Sequence, residues 1–499
     1  MSYVVGVDLG TSAVKVMLMN KQGEVVKEAS KSYPLIQEKS GYSEQDPEEW
    51  VEKTKQALQE IAQENAELVA NIEGVSFSGQ MHGLVLLDES HHVLRPAILW
   101  NDTRTTKQCR DIYEAVGEEK LLQYTKNPAL EGFTLPKILW VKENEPAIFE
   151  KAAVFLLPKD YLRFRMTGEL HMDYSDAAGT LLLNISDKTW SDEMCDALGL
   201  DVDICPPLIE SHGYVGNVSD VFAKESGLST ETKVFAGGAD NACGAIGTGI
   251  LTEGKTLCSI GTSGVVLSYE PRSDLDFGGK VHYFNHGEEN AYYTMGVTLA
   301  AGYSLSWFKD VFAEEEDFST FVQDVDSVPV GANGLIFTPY LVGERTPHAD
   351  SVIRASFIGM DASHERKDFV RAVLEGITFS LCESIEIFRE GGKTINTIVS
   401  IGGGAKNETW LQMQADIFNA EVQKMASEQG PGVGAAMLAA YGCGWYDSLE
   451  QCANEWLEVV KTYQPNPDAV EKYKELFSIY KDVYQQTKSL NERVQQYRK

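Results

Sequence analysis

The chain has 499 residues, 43% hydrophobic and 23% charged, and its 74 acidic against 43 basic residues give a formal net charge of −31. This length predicts at least two domains, and the negative field disfavours nucleic acid and anionic membranes as partners. The eight cysteines lack zinc-ligand spacing, no apolar run approaches the ~18 residues of a membrane span, and the start MSYVVGVDLG lacks a secretory pattern, so we expect a cytoplasmic protein.

Strands and helices alternate along the first hundred residues. Residues 3–8 and 14–20 are predicted strands joined by a Gly-Thr-Ser turn. Asp46 and Pro47 predict the start of a helix, followed by an apolar face at Trp50, Thr54, Ala57, Leu58 and Ile61. Short strands at 75–77 and 97–100 lead into the polar loops SGQMHG and NDTR. This alternation predicts the α/β class.

The turn Gly10-Thr11-Ser12 follows a strand that carries Asp8. Successive backbone N–H groups and two hydroxyls are suitable donors to phosphate oxygens, and Lys15 adds a positive charge nearby. Asp8 suits the coordination shell of Mg²⁺, usually through water. Gly261-Thr262-Ser263 offers the same donors from the second half of the chain. Two such turns facing each other would clamp a polyphosphate.

Segments 4–20 and 256–270 share one plan, an apolar strand, a Gly-Thr-Ser turn and a second apolar strand. They lie half a chain apart, which predicts two similar domains. We place the boundary at a glycine-rich crossing from 247 to 254, giving domains 1–246 and 247–499, the second including the C-terminal helices. Two unrelated hairpins that share a common tripeptide are the alternative.

Two other loops combine polar groups with small residues. In SGQMHG, Gln80 and His82 are suitable partners for hydroxyl groups, although a lone histidine is more often structural. In VFAGGADNACGAIGTG, residues 234–249, Asp240 and Asn241 stand among tiny or apolar neighbours. Either this segment is a tightly packed strand-to-helix turn, or a ligand docks against Asp240.

A third glycine-rich loop, IGGGAKN, lies between a predicted strand at 397–399 and a helix. It matches neither a Walker A loop nor a dinucleotide loop, and we interpret its glycines as a place where a ligand approaches the backbone. In GPGVG, residues 430–434, we favour close helix packing instead. A polar helix is predicted after about Asn466, packed through Tyr473, Leu476, Ile479, Tyr480 and Val483.

Taken together, these motifs occur in the order seen in the FGGY carbohydrate kinases. DLGTS, SGQMHG, LWNDTR, LPKDYLRFRMTG, SDAAGT, GGADNA, SIGTSG, GERTPH and IGGGAKN are all present, as is the family signature at Gly132, Thr134 and Lys137. The resemblance extends from about residue 3 to 445. It implies two RNase H-like (actin-type ATPase) domains closing over a cleft, with sugar held mainly by the first and ATP mainly by the second.

Within this family, the sequence is most similar to bacterial enzymes that phosphorylate D-xylulose. The resemblance implies that Asp240 is the catalytic base and that Asp8 is the acid on the Mg²⁺ side. It implies sugar contacts from Met81, His82, Asp240 and Asn241, with Trp100 and Asp102 as secondary candidates, and Gln80 joins them on the chemistry of its loop. It implies ATP contacts from Thr11, Ser12, Gly261, Thr262, Ser263, Gly403, Gly404 and Asn407, and Lys15 joins them because of its charge near the first turn.

The expected reaction is the ATP- and Mg²⁺-dependent conversion of D-xylulose to D-xylulose 5-phosphate in xylose catabolism. Ribulose and gluconate kinases share most of these motifs and stay as alternatives. Glycerol kinases carry an Arg-Glu pair where this chain has Met81-His82, and no basic residue stands beside Gln80–His82 to pair with a sugar acid. An actin- or chaperone-type ATPase module is a further alternative, although such a module has no use for the sugar-side motifs. The sequence leaves a homodimer open.

Overall fold

Two seven-stranded sheets organise the computed structural model, which describes residues 2–64, 66–427 and 430–498. The strands of the first half are β1 Tyr3–Leu9, β2 Ala13–Asn20, β3 Val25–Ser32, β4 Glu44–Gln45, β5 Ile72–Gly79, β6 Val85–Leu87, β7 Ala97–Ile98, β8 Val154–Leu156, β9 Met172–Asp173, β10 Leu183–Asn184, β11 Thr189–Trp190, β12 Leu208–Ile209, β13 Tyr214–Asn217, β14 Lys233–Phe235 and β15 Gly238–Ala239. Its helices are α1 Pro47–Glu64, α2 Ala66–Val69, α3 Thr106–Val116, α4 Glu118–Thr125, α5 Thr134–Asn144, α6 Pro146–Phe149, α7 Pro158–Thr167, α8 Tyr174–Ala177, α9 Asp192–Ala197, α10 Asp220–Ser226 and α11 Asp240–Gly247.

The second half continues the alternation of strands and helices. Its strands are β16 Lys255–Ile260, β17 Gly264–Glu270, β18 His282–Asn285, β19 Tyr292–Thr298, β20 Ile336–Thr338, β21 Ser356–Ile358, β22 Thr397–Gly402, β23 Glu421–Met425 and β24 Val459–Tyr463. Its helices are α12 Gly302–Phe312, α13 Phe318–Phe321, α14 Arg366–Glu390, α15 Glu408–Phe418, α16 Gly430–Gly442, α17 Leu449–Trp456 and α18 Pro467–Val494. None of the described helices is both long and apolar enough to cross a membrane.

The two large sheets share one topology. In the first, the order β3-β2-β1-β5-β14 joins three antiparallel strands to two parallel ones. In the second, β19-β17-β16-β22-β23 repeats that pattern. The predicted internal repeat therefore extends beyond the Gly-Thr-Ser hairpins to whole sheets, and the predicted two-domain RNase H-like α/β class is confirmed.

Most of the predicted elements are found close to their predicted positions. β1, β2 and α1 form as expected, and the predicted apolar face of α1 is buried, with Trp50 and Thr54 fully so. The strand predicted at 97–100 is shorter, because the chain turns after Ile98. In α18, Tyr473 and Tyr480 are buried, but Ile479 is 51% exposed, so its predicted place in the packed face is wrong.

Helices α11 and α16 pack so closely that their backbones touch. A Cβ at Gly434 would overlap the Cys243 carbonyl group, and one at Gly247 would overlap the Gly430 carbonyl oxygen. The packing interpretation of the 430–434 glycines is therefore confirmed. α16 also packs on β1 and β5, so a helix from the second half of the chain covers the first sheet. The boundary between residues 246 and 247 stays a prediction.

Candidate active site

Three parallel strand ends bring the predicted sugar-side residues to one edge of the first sheet. Asp8 of β1 lies opposite Ser78 of β5 in the sheet register. Ser78 and Gly79 also pair with Gly238 and Ala239 of β15, which lead directly into Asp240. The carboxyl ends of parallel strands are where open α/β sheets bind ligands. Asp8, the SGQMHG loop and Asp240 therefore emerge side by side.

The first Gly-Thr-Ser turn is tied to the sugar-side loop by a buried glutamine, Gln45. Its Nε2 donates to the Thr11 carbonyl oxygen at 2.6 Å. Its Oε1 accepts from Trp50 Nε1 at 2.9 Å and from Gln80 Nε2 at 3.3 Å. The Gln80 backbone N–H donates to the Leu9 carbonyl oxygen at 2.9 Å. Sequence reasoning missed Gln45, because it belongs to no motif and lies more than thirty residues from either loop.

Two further predicted phosphate-side residues are Ser12, in this turn, and Lys15, in the strand β2 that follows it. Ser12 is exposed, and Lys15 forms an ion pair with Glu28 at 3.0 Å. Lys15 pairs with Asp8 across β1 and β2, so its charge is close to the predicted Mg²⁺-side acid. Their contacts with ATP stay predictions.

Asp240 begins α11 and is held by its neighbour Asn241. Asp240 Oδ1 accepts from the Asn241 backbone N–H at 2.7 Å and from Asn241 Nδ2 at 3.1 Å. Asn241 Nδ2 also lies 3.5 Å from Met81 Sδ, which links this helix start to the SGQMHG loop. Three of the predicted sugar contacts thus form one cluster, at a helix N-terminus that favours negative charge.

Burial raises the pKa of Asp240 to about 7, and the negative charge of Asp8 adds to the effect. Burial also raises the pKa of Asp8 above its ordinary value. A carboxyl group that titrates near neutrality is well placed to accept a proton in catalysis. Carboxylate oxygens are preferred Mg²⁺ ligands, and a divalent cation beside Asp8 would offset the repulsion between the two acids, so these residues fit the predicted ion.

His82 adopts a left-handed backbone conformation, with φ at 66°. Its Nδ1 lies 2.7 Å from the Gly179 carbonyl oxygen, and burial lowers its pKa to about 3, so the ring is neutral at pH 7. A carbonyl oxygen only accepts hydrogen bonds, so Nδ1 carries the proton and Nε2 presents a lone pair. His82 can therefore accept a hydrogen bond from a hydroxyl group.

The two remaining sugar-side candidates have partners within the protein. Trp100 is 46% exposed, and its Nε1 donates to Thr11 Oγ1 at 2.9 Å, which places its indole beside the phosphate turn. Asp102 is 1% exposed and forms an ion pair with Arg104 at 2.6 Å. It also accepts from the Ser43 backbone N–H at 2.6 Å. Both sugar contacts stay predictions, and a sugar hydroxyl would have to compete with these partners of Asp102.

A cavity of about 590 Å³ in the second half contains several predicted ATP residues. Its wall combines polar backbone and apolar side chains, and the lining residues are Ile260, Gly261, Thr262, Gly302, Leu305, Ser306, Phe318, Ser319, Val322, Leu374, Gly403, Lys406, Asn407 and Trp410. Four predicted residues, Gly261, Thr262, Gly403 and Asn407, are among them. Such a cavity suits a flat apolar ring joined to a polar tail.

Close backbone contacts shape this cavity. The Gly302 N–H donates to the Gly261 carbonyl oxygen at 2.8 Å, and a Cβ at Gly302 would overlap that oxygen. A Cβ at Gly404 would overlap the Ile260 side chain, so close packing also accounts for one of the three loop glycines. Asn407 caps α15, accepting from the Trp410 N–H at 2.9 Å. Neither Gly302 nor the apolar wall was predicted from the sequence. The run of small residues at 300–302, where α12 begins, was the available signal.

A buried ionic cluster supports the strand that delivers Asp240. Lys159 Nζ lies within ion-pair distance of three fully buried acids, Asp160 at 2.8 Å, Asp173 at 2.6 Å and Asp176 at 2.8 Å. Asp173 Oδ2 accepts from Ser175 Oγ at 2.5 Å, and Ser175 Oγ accepts from the Ala239 N–H at 2.9 Å. The Lys159 ammonium stands where a metal ion would have to bind these acids, so the cluster is structural.

Comparisons with known proteins agree with this geometry. The FGGY family of carbohydrate kinases matches with its N-terminal domain at residues 3–247 and its C-terminal domain at residues 256–443. The chain is 62% identical to the xylulose kinase of Bacillus subtilis (strain 168) over the full length of both chains. A ligand-bound xylulose kinase from Lactobacillus acidophilus superposes with a TM-score of 0.91 at 28% identity, covering 98% of each chain. A gluconate kinase from the same organism superposes equally well, with a TM-score of 0.91 at 28% identity, covering 97% of this chain and 98% of the other.

Proposed function

Because the chain belongs to the FGGY family of carbohydrate kinases, we propose that it transfers the γ-phosphoryl group of ATP to the terminal hydroxyl of D-xylulose. The products are ADP and D-xylulose 5-phosphate. The observation that carries the proposal is the cluster of Met81, Asn241 and Asp240 beside the neutral His82 at one sheet edge. It supplies a base and hydroxyl-binding groups in one place.

In the proposed reaction, Asp240 accepts the proton of the attacking hydroxyl. Asn241 engages Asp240 Oδ1, and among the described hydrogen bonds Oδ2 is left for the substrate proton. The hydroxyl oxygen forms a bond to the γ-phosphorus as the bond to the β,γ-bridging oxygen breaks, and ADP leaves. Phosphoryl transfer depends mainly on positioning and charge neutralisation, so a single well-placed carboxylate suffices as the base.

The phosphates would be held by the two Gly-Thr-Ser turns, and the adenine ring by the apolar wall of the second-half cavity. The turn at 10–12 lies beside Asp8, and the turn at 261–263 opens into that cavity. Asp8 would hold Mg²⁺ through oxygen ligands, and the ion would neutralise phosphate charge. These assignments follow the family resemblance and the donor chemistry of the residues.

The preference for a neutral ketose over a sugar acid is supported by the 62% identity to a xylulose kinase. In space a basic residue does adjoin this loop, since Lys137 Nζ lies 2.9 Å from the His82 carbonyl oxygen. Lys137 is fully buried and donates to two carbonyl oxygens, an arrangement that does not suit a sugar carboxylate. Arg345 is a second cation near this ring, since its charge also lowers the pKa of His82, so the groups around His82 do not by themselves disfavour gluconate. A cytoplasmic enzyme and a homodimer stay predictions.

The proposal is tested by measuring ADP release with D-xylulose, D-ribulose, L-ribulose, gluconate, glycerol and no sugar. We expect the highest kcat/KM with D-xylulose. A higher kcat/KM with gluconate or a ribulose would make that sugar the substrate in place of D-xylulose. An equal rate in all samples, including the one without sugar, would favour an ATPase module of the actin or chaperone type.

A further inference from the structure

The family signature at 132–137 lies against the sugar-side loop. We infer that Lys137, together with Thr134, is a positioning residue that fixes His82 for sugar binding; this inference rests on the proposed role of His82. Lys137 Nζ donates to the His82 carbonyl oxygen at 2.9 Å, and Thr134 Oγ1 donates to the same oxygen at 3.2 Å. Both side chains are fully buried, so we assign them an indirect role through His82 rather than a direct contact with the substrate.

His82 needs such support because its backbone is unfavourable. A φ of 66° lies in the left-handed region that residues with a Cβ rarely adopt. Conformations of this kind persist where the surrounding structure fixes them, and they concentrate at functional sites. Two side-chain donors on one carbonyl oxygen fix the orientation of the peptide group that follows His82.

The same segment also positions the imidazole ring. Phe133 is buried, and its ring centroid lies 4.6 Å from that of His82. Lys137 Nζ also donates to the Gly132 carbonyl oxygen at 2.6 Å, which fixes the backbone before Phe133. A Cβ at Gly179 would stand 2.8 Å from His82 Nδ1, so the glycine permits the hydrogen bond to its carbonyl oxygen. The backbone of His82 is therefore held by Thr134 and Lys137, and its ring by Phe133 and the Gly179 carbonyl oxygen.

The hydrogen bonds from Lys137 to the two carbonyl oxygens do not require a positive charge on its amine. Burial lowers the pKa of Lys137 to about 7, so the amine is only partly protonated at neutral pH. A neutral amine still has two N–H donors, and two carbonyl oxygens face it. The side chain thus serves as a double hydrogen-bond donor at the end of a long apolar stem.

Kinetics of Lys137→Met provide the test, because methionine keeps an unbranched apolar side chain and removes both donors. We expect the KM for D-xylulose to rise about tenfold, with little change in the KM for ATP. Thr134→Val removes one of the two donors to His82 and should raise the sugar KM two- to threefold, roughly. Thr134→Val also keeps the inference testable if Lys137→Met folds poorly.

Lys142→Met is the matched control. Lys142 lies on the same helix, α5, and also donates to two carbonyl oxygens, those of Leu198 at 3.1 Å and Gly199 at 2.5 Å. It contacts neither His82 nor the segment 132–134 in the described structure. We expect it to lower stability slightly and to leave both KM values unchanged. An equal rise of the sugar KM in Lys142→Met and Lys137→Met would overturn the inference.

A double-mutant cycle separates positioning from general stability. If Lys137 acts through His82, Lys137→Met has no further effect on the sugar KM in a His82→Ala background. The same fold-increase in both backgrounds would overturn the inference while leaving the proposed function intact. An unchanged sugar KM in His82→Ala alone would instead overturn the proposed role of His82. In that event NMR still tests the contact, since Lys137→Met must shift the His82 ring resonances and Lys142→Met must not.

Discussion

On the sugar side, Met81 and His82 are held by side chains from distant segments, namely Asn241, Thr134 and Lys137. The nucleotide cavity instead combines an apolar side-chain wall with close backbone approaches at Gly261, Gly302 and Gly403. The sugar side depends on hydrogen bonds of the neutral side chains of His82 and Asn241, and on Asp240, whose raised pKa leaves it partly protonated at neutral pH. The cavity depends on glycines that let loops approach each other. Substitutions should therefore act differently in the two regions, through donors and acceptors in the first and through added volume in the second.

The largest effect is expected on the sugar side for Asp240→Asn. The amide keeps the shape but cannot accept the hydroxyl proton, so kcat should fall by roughly 10²–10⁴-fold. Sugar binding should survive within about tenfold. Single-turnover kinetics and calorimetric binding of D-xylulose measure the two quantities. Asp482→Asn, an exposed acid on α18, is the control and should behave like the unmodified protein; retained activity in Asp240→Asn would rule out the base.

Asp8→Ala tests the boundary between the two regions. Removing this carboxylate should raise the Mg²⁺ concentration needed for half-maximal activity by about tenfold or more. The KM for D-xylulose should change much less, because Asp8 belongs to the phosphate side. A titration of activity with Mg²⁺ at fixed ATP provides the measurement. An unaltered Mg²⁺ dependence would show that Asp8 does not bind the metal ion.

In the nucleotide cavity, Gly302→Ala should act through volume. The added methyl group meets the Gly261 carbonyl oxygen, so one loop must move away from the other. We expect the KM for ATP to rise about tenfold while the KM for D-xylulose stays within twofold, roughly. Gly216→Ala is the matched control, since its Cβ would make only ordinary contacts at 3.8 Å. Equal changes in both KM values for Gly302→Ala would contradict the division between the regions.

The smallest effect near neutral pH concerns the ionisation of Asp240. Its pKa of about 7 means that the basic carboxylate is lost as the pH falls, so kcat/KM for D-xylulose should fall about tenfold per pH unit below 7. Above pH 8 the profile should be flat. Because the charge of Asp8 contributes to the raised pKa, Asp8→Asn should lower the pKa of Asp240 when both proteins are titrated by NMR in the absence of Mg²⁺. A midpoint that stays in place would show that Asp8 does not interact with the base.

Much of the fold could be predicted because its signals are local. The strand–turn–strand pattern around Gly10 and Gly261 is contained within about twenty residues, and it correctly indicated the repeated sheet. The face of α1 followed from helical periodicity. Ile479 was misplaced because periodicity does not tell which side of a surface helix meets the core.

The candidate site was predictable only where motif residues act directly. Contacts between distant segments were not, such as Lys137 with the His82 carbonyl group or Gln45 with both loops. The ion pair between Asp102 and Arg104 was also not predicted, because the sequence NDTR does not show that the Arg104 side chain folds back onto Asp102. Such contacts depend on tertiary packing, which a linear pattern does not record.

The most direct measurement of the central claim is the structure of the product. The protein is incubated with ATP, Mg²⁺ and D-xylulose, and the products are followed by ³¹P and ¹³C NMR. The proposed function predicts one sugar phosphomonoester, with the phosphate on the C5 oxygen, formed in equal amount to ADP. ADP without a sugar phosphate, or a phosphate on another carbon, would contradict it.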